Sequence, residues 1–387
     1  VSKTLFVKTK TQSEWLEKLL PLEEAFKSHS REIDEQSKFP SENIQALVDI
    51  GYTKLTLPKE YGGEGISVTE MIFLQEIISS FDGATGLSIG WHQGVVAELY
   101  EKKLWEETKL NTFAEEVLNG ALVNRVASEM QTGSPTRGGR PGTSAVKKDG
   151  KWVISGTKSY ATMSPALTHI LITAWVEEKE RIGVFLIDKN AHGVSIQENW
   201  DVIAMRGTAS HDLVLENVEV AEENLVEIND GPRGDSINGW ILHIPACYLG
   251  IAQAARDYAV QFATQHSPNS LNGPISQLPN VQRLIGEIDI ELMKARHFLY
   301  SVAEAYDDES RRPLLTNELG VAKHIVTNSA IEIVDKAMRL VGAKSLQLSN
   351  PLQRYYRDVR AGLHNPPMDD MTISKLAQAA ISEIKNH

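Results

Sequence analysis

The amino-acid sequence predicts an α+β fold, mainly α, in which a central antiparallel β domain lies between an N-terminal helical domain and a C-terminal set of helices. Three observations predict it. Apolar residues recur at helical spacing up to about residue 118, short runs rich in Val, Ile and Thr follow between about 121 and 226, and long helical patterns return after Gly239. Helices, then strands, then helices means segregated layers, where a βαβ winding would alternate them. The expected domains are residues 1–120, 121–232 and 233–387.

Each part has its own signals. In the first, Trp15, Leu16, Leu19 and Leu20, and again Met71, Ile72, Leu74, Ile77 and Ile78, recur as on one helix face. Phe39-Pro40-Ser41-Glu42 offers a serine cap before a helix, and Tyr61-Gly62-Gly63-Glu64-Gly65 reads as a glycine-rich loop. In the second, Trp152–Ser155, His169–Trp175, Ile182–Ile187 and Asp212–Leu215 are strand candidates, with Asp149-Gly150 as a hairpin turn. In the third, helices are expected over Leu242–Thr264, Val281–Tyr306, Glu318–Val341 and Met371–Ile384, with a long Ser-, Asn-, Pro- and Gly-rich loop from His266 to Pro279.

Composition narrows the function. With 387 residues, 42% of them hydrophobic, the chain can bury more than one core. A net charge of -12 argues against nucleic acid, whose phosphates need clustered Lys and Arg. The single cysteine, Cys247, excludes an internal disulfide framework and a Cys-based zinc site. No apolar run suits a signal peptide or a bilayer span, so no membrane partner is expected and cytoplasmic is the default location.

Generic motifs are mostly lacking: GxGxxG, Walker A, HExxH and CxxC do not occur, and no metal site is expected. Gly86-Leu87-Ser88-Ile89-Gly90 matches the nucleophile elbow of serine hydrolases, but an elbow needs a strand before its serine and here a helical segment precedes it. The informative stretches are Val126-Ala127-Ser128-Glu129-Met130-Gln131-Thr132-Gly133-Ser134 and Gly156-Thr157-Lys158-Ser159-Tyr160-Ala161-Thr162. Ser128 and Thr162 would hydrogen-bond the heteroatoms of a flat heterocycle while Tyr160 stacks on its face; the same residue types also fill ordinary β-domain loops.

The first stretch resembles the TEP-x-x-GS signature of acyl-CoA dehydrogenases, and the second their G-x-K-x-W-I-T strand. Tyr61-Gly62-Gly63-x-Gly65, Met205-Arg206-Gly207-Thr208-x-Ser210, Ala322-Lys323 and Tyr356-Arg357-Asp358 resemble further family segments in the same order, so the resemblance runs from about residue 12 to 384. It implies a C-terminal four-helix bundle, a homotetramer or homodimer, and FAD extended between the β domain and the bundle. It also implies that Val126 and Ser128 meet the flavin pyrimidine edge, that Tyr160 and Thr162 flank its face and N5, that Gly133, Arg339 and Gly342 belong to the cofactor site, and that Ser134 contacts the acyl-CoA.

Three departures qualify it. The family's R-x-x-F-G, whose arginine reaches the FAD pyrophosphate across a subunit interface, reads His266-Ser267-Pro268-Asn269-Ser270, which replaces a permanent cation by a histidine. The family's Q-x-x-G-G reads Arg339-Leu340-Val341-Gly342-Ala343; Arg339 either returns a positive charge there or sits on a solvated helix face. The glutamate that removes the α-proton, eight residues after the Arg-Asp pair, is replaced by Pro366 within Leu363-His364-Asn365-Pro366-Pro367-Met368-Asp369-Asp370, and the alternative glutamate position on the first bundle helix holds Trp240.

Three readings follow. The chain is an acyl-CoA dehydrogenase in which Asp369, Asp370 or His364 is the base, acting on an acyl-CoA with an electron-transfer flavoprotein as partner. Alternatively, it is one of the monooxygenases that share this fold and take reduced FAD or FMN from a partner reductase, several of which carry a similar H-[DN]-P loop. Finally, it is a non-catalytic flavin or acyl-CoA binding protein. Asp369 and Asp370 equally suit helix capping, and His364 equally suits a loop-satisfying role. The Ser128-to-Ser134 signature makes the dehydrogenase the preferred reading.

Overall fold

In the computed structural model, which describes residues 3–133, 139–228 and 237–385, six helices come first: α1 (Lys10–Leu19), α2 (Glu23–Gln36), α3 (Ser41–Asp49), α4 (Val68–Phe81), α5 (Gly83–Glu101) and α6 (Glu107–Leu118). Ser67 caps α4 in a reciprocal box with Glu70, and Asp82 caps α5 by accepting from Thr85 N at 2.8 Å. Ser41 is not a cap: it is the first residue of α3, and Pro40, at the cap position, has no side-chain acceptor to offer. Gly86-Leu87-Ser88-Ile89-Gly90 lies within α5 and Ser88 is buried, so no nucleophile elbow forms.

The sheet holds eight strands: β1 (Val123–Val126), β2 (Ser144–Lys148), β3 (Lys151–Ala161), β4 (His169–Val176), β5 (Arg181–Asp188), β6 (Val194–Gln197), β7 (His211–Ala221) and β8 (Leu225–Ile228). Its order is β6-β7-β3-β2-β4-β5-β8, with β1 beside β4. Asp149 and Gly150 turn β2 into β3 with φ of 51° and 77°, the left-handed pair that a two-residue hairpin requires. Most pairings are antiparallel; β1 with β4 and β2 with β4 are parallel.

The C-terminal part comprises α7 (His243–Gln265), α8 (Pro279–Asp307), α9 (Glu318–Val341), α10 (Pro351–Ala361) and α11 (Asp369–Lys385). α4, α5 and α7 approach closely because two glycines permit it: a Cβ on Gly250 would meet Glu76 O at 2.4 Å, and one on Gly86 would meet Ser79 Oγ at 2.0 Å. One apolar core joins the helices to one face of the sheet, and a second cluster forms where α5 and α6 meet β1, β4 and β5. No helix among the described residues is long and apolar enough to cross a membrane.

Candidate functional site

The site begins at a break in the sheet. β1 pairs with His169–Ile172 of β4 and β2 with Trp175–Val176, so the ladder beside β4 is interrupted at Thr173, and the chain between β1 and β2 leaves the sheet there. Lys158 of β3 plugs the break. Its fully buried Nζ donates to Glu129 Oε1 at 2.7 Å, Thr173 Oγ1 at 3.1 Å and Ala127 O at 3.4 Å. Glu129 also accepts from Thr132 Oγ1, Thr143 Oγ1 and Gly142 N, each at 2.7 Å, and from Thr143 N at 3.1 Å. Burial pushes the Glu129 carboxyl up, but Lys158, Thr132 and Thr143 more than offset it and hold its pKa down to about 2.

The plugged loop presents the first group of expected flavin contacts. Val126 is buried at the end of β1, and Gly133 closes the loop on Glu129 through two backbone hydrogen bonds. Gly133 has φ of 76°, a left-handed conformation that favours glycine, with open space around it. Ser128 is half-buried; its carbonyl accepts from Ser159 N at 2.8 Å, and its hydroxyl meets no partner among the described residues. Ser134 lies outside the described residues.

The second group sits on strained backbone. Of the nine non-glycine residues with positive φ among the described residues, four are here: Tyr160 (62°), Met163 (66°), Met205 (51°) and Ala209 (41°). Each costs about 1–2 kcal/mol, and such strain persists only where surrounding contacts over-determine it. Those contacts are visible. Met163 N donates to Thr208 O at 2.9 Å, Ser164 Oγ to Ala209 O at 2.9 Å and Asn124 Nδ2 to Thr162 O at 3.1 Å. Thr162, Ser210 and Thr208 form a buried hydroxyl row with 2.9 Å spacings. The strain turns the Tyr160 ring outward, 55% exposed, with its edge against Trp200 at 6.1 Å. An exposed ring beside fixed hydroxyls fits a flat, hydrogen-bonding heterocycle such as a flavin.

A bundle helix clamps this second loop. Asp358 of α10 accepts from Met205 N at 2.7 Å, while Arg357 donates to Ile203 O at 2.7 Å and grips both Asp34 oxygens, at 2.9 and 2.5 Å. Asp358 is buried, and burial pushes its carboxyl up to about 7 despite the Met205 bond and the arginines nearby. The Arg357-Asp358 pair was read from sequence only as a resemblance; its role here is to fix a strained loop.

The segment expected to carry the base follows α10. His364 is exposed and has no partner among the described residues, Pro366 is exposed, and Asn365 Oδ1 lies 2.5 Å from Tyr248 Oη. Asp369 is the first residue of α11 and is held by α9: Asn328 Nδ2 donates to it at 3.0 Å, His324 Nδ1 lies at 3.1 Å and the buried Lys323 Nζ at 3.6 Å. Burial raises its pKa, yet Asn328, His324 and Lys323 bring it below the ordinary carboxylate range. A carboxylate so stabilised in its charged form is a weak base. Trp240, at the alternative base position, is buried, and its Nε1 donates to Glu101 at 2.9 Å. Glu101 in turn accepts from Tyr306 Oη at 2.6 Å and Arg312 at 3.1 Å.

At the far end of α7, His266 stacks on Phe262 at 4.8 Å, and Lys344 Nζ stands 5.5 Å from the Phe262 ring. Lys344 is therefore a cation beside His266 that sequence reading missed. Arg339 ends α9 exposed, with no ion pair among the described residues, and Gly342 terminates the helix with φ of 72°. Among the described residues, no group of three His, Cys, Asp or Glu side chains is placed to hold a metal.

Against known proteins, the acyl-CoA dehydrogenase N-terminal domain matches residues 21–110, the middle domain 125–218 and the C-terminal domain 242–365. The provisionally named acyl-CoA dehydrogenase YdbM of Bacillus subtilis strain 168 is 59% identical over 377 residues, covering 97% of this chain and 99% of that one. Two solved structures share the fold. Butyryl-CoA dehydrogenase of Megasphaera elsdenii has TM-score 0.86 at 20% identity, covering 97% of this chain and 99% of that one. Methanesulfinate monooxygenase MsuC of Pseudomonas fluorescens has TM-score 0.83 at 20% identity, covering 97% and 98%. From the sheet break to the Arg357-Asp358 clamp, and across all three matched domains, the chain belongs to the acyl-CoA dehydrogenase family.

Proposed function

We propose that the chain is a flavin-dependent oxidoreductase of the reduced-flavin monooxygenase type, taking FMN or FAD from a partner reductase and oxidising a small organic substrate. One observation carries this reading: neither base position holds a carboxylate, and Asp369, the carboxylate nearest in sequence to Pro366, is held in its charged form by Lys323, His324 and Asn328. Removal of an α-proton from a thioester needs a basic group within hydrogen-bond reach of it. The preference for the dehydrogenase drawn from the Ser128-to-Ser134 stretch is set aside for this reason. The fold favours neither reading, since a dehydrogenase and a monooxygenase share it equally.

When bound, reduced flavin supplies the two electrons with which dioxygen is divided, one atom to the substrate and one to water. The chain's own residues have separate tasks in this reading. Val126, Ser128 and Gly133 bind the ring edge, Thr162 and Tyr160 its face, and Lys344, Arg339 and Gly342 the phosphate-bearing end, with a second copy of the chain as the expected partner there. His364 holds or passes a proton at the loop, an imidazole having one nitrogen that donates and one that accepts.

The acyl-CoA dehydrogenase remains the second reading, favoured by the name given to the 59% identical relative. Anaerobic mixing of the FAD-loaded protein with a panel of acyl-CoA thioesters separates the two. We expect no loss of oxidised-flavin absorbance with any thioester, and tighter anaerobic binding of reduced than of oxidised flavin. Bleaching by one thioester would overturn the proposal and establish dehydrogenation.

A further inference from the structure

Tyr248 lies in the first half of α7, facing the turn that follows α10, and is fully buried. Gly362 makes room for it: a Cβ there would sit 3.1 Å from the tyrosine ring and 2.9 Å from Thr327 Cγ2. The Tyr248 hydroxyl meets one described residue, Asn365, with Oη 2.5 Å from Oδ1. Burial pushes the phenol pKa well above its ordinary value, so the hydroxyl keeps its proton and has one acceptor to give it to. That fixes the amide. The bonded atom is the carbonyl oxygen, and the two N–H donors of Asn365 meet no described residue.

The segment that carries this amide leaves α10. Asp358 anchors the strained Met205 loop, and Gly362 follows one helical turn later. Asn365 follows seven residues after Asp358, on the same segment that carries His364. An asparagine held by a buried tyrosine on another helix, 117 residues away in sequence, is more fixed than a loop residue needs for its own sake.

We infer that Asn365 is a binding residue of this site, donating an N–H to an acceptor atom of the flavin ring, and that Tyr248 is a positioning residue that sets the direction of that donor. The inference rests on the flavin reading above and adds to it a contact between ring and loop. Asn365→Asp separates the two roles, because the aspartate oxygen still accepts from Tyr248 while the N–H donors are lost. Tyr248→Phe does the reverse: it frees the amide to rotate.

The test is titration of the purified full chain with FMN and with FAD, followed by flavin fluorescence, with thermal unfolding run alongside. Asn365→Asp should weaken flavin binding about tenfold or more at unchanged unfolding temperature, and Tyr248→Phe about threefold. The double variant should bind no worse than Asn365→Asp alone, since both act through one contact. Unchanged affinity in Asn365→Asp, or effects that multiply in the double variant, would overturn the inference while leaving the flavin reading intact. Failure of the unsubstituted chain to bind either flavin, both oxidised and anaerobically reduced, would instead refute the flavin reading and this inference together. If Tyr248→Phe does not fold, Asn365→Asp still decides.

Discussion

Replacing Lys158 by methionine tests whether the plugged sheet break is what holds the Ser128 loop. The substitution keeps the length of the side chain but leaves Glu129 with four donors: Thr132 Oγ1, Thr143 Oγ1, Thr143 N and Gly142 N. Glu129 sits at about 2 against an ordinary 4.5, which corresponds to about 3 kcal/mol favouring its ionised form, shared among Lys158 and those hydrogen bonds. Breaking a buried ion pair costs about 3–5 kcal/mol, and the surviving donors put this case at about 2–3 kcal/mol. The pH dependence has a definite sign. A depressed carboxylate pKa stabilises the folded chain above pH 4.5, and that stability is lost as pH falls toward 2. In Lys158→Met the Glu129 pKa rises, so acid unfolding should begin at higher pH. Flavin affinity should fall with the loop's order, and a second change, Glu129→Gln, should restore part of the lost stability by removing the uncompensated charge. Thermal unfolding between pH 3 and 8, with flavin titration at pH 7, measures all three. A variant that matches the unsubstituted chain in both would refute the argument that the plug organises the loop.

Three further outcomes are expected. Asp358, pushed up to about 7 from an ordinary 3.8, penalises the folded state once ionised, so its contribution is neutral below pH 3.8 and becomes unfavourable as pH rises through 7. Asp358→Asn, which keeps an acceptor for Met205 N, should be as stable as the unsubstituted chain at pH 8 or more so by up to about 4 kcal/mol, whereas Asp358→Leu should lose about 1–3 kcal/mol by orphaning that N–H; urea unfolding at pH 5 and 8 distinguishes them. His364→Ala should lower turnover, followed as flavin-dependent oxygen consumption with substrate, by about two to four orders of magnitude with flavin affinity unchanged, and full turnover would remove the histidine from the chemistry. Helix α11 exposes Ile373, Ile381 and Ile384 at 56%, 56% and 79%, which points to a second copy covering it; Ile381→Glu with Ile384→Glu should lower the mass found by light scattering, and an unchanged mass would refute that role.

What could be read from sequence divides by the range of the interaction. The long helices α7, α8 and α9 show in the apolar period because each buries a continuous stripe, and the Asp149-Gly150 turn shows because two left-handed positions favour those residues. β1, β6 and β8 have four residues each, too few to display an alternation, and α10 buries only Leu352, Asp358 and Val359 along a polar, arginine-rich face. The parallel pairing of β1 and β2 with β4 is non-local and leaves no local mark. The same holds in the site. Ser128, Tyr160 and Thr162 stand in contiguous stretches that sequence reading could single out, whereas Glu129 with Lys158 and Tyr248 with Asn365 are pairs that only folding brings together. An acid and a lysine inside the two stretches singled out in the β domain were a usable signal for the first pair. For Asp369, the partners that make it a poor base come from α9, more than forty residues earlier, as with Asn328.

The division also explains why likeness of fold does not choose between the two reactions. The Lys158 plug, the hydroxyl row from Thr162 to Thr208 and the Arg357-Asp358 clamp hold the loops around the expected cofactor site through hydrogen bonds among the chain's own groups. The dehydrogenase base is expected elsewhere, in the segment from His364 to Asp369 or at Trp240. Besides His266 and Arg339, these are positions where this chain departs from the dehydrogenase pattern, with Pro366 and Trp240 at the places of the two glutamates. A frame that binds the cofactor and a separate loop that supplies the acid or base can diverge independently, because substitutions in the loop leave the frame's hydrogen bonds unbroken. Reaction type in this chain is therefore decided by side chains that the fold tolerates in several forms, which is why direct assay of flavin bleaching and oxygen use carries more weight than any degree of structural overlap.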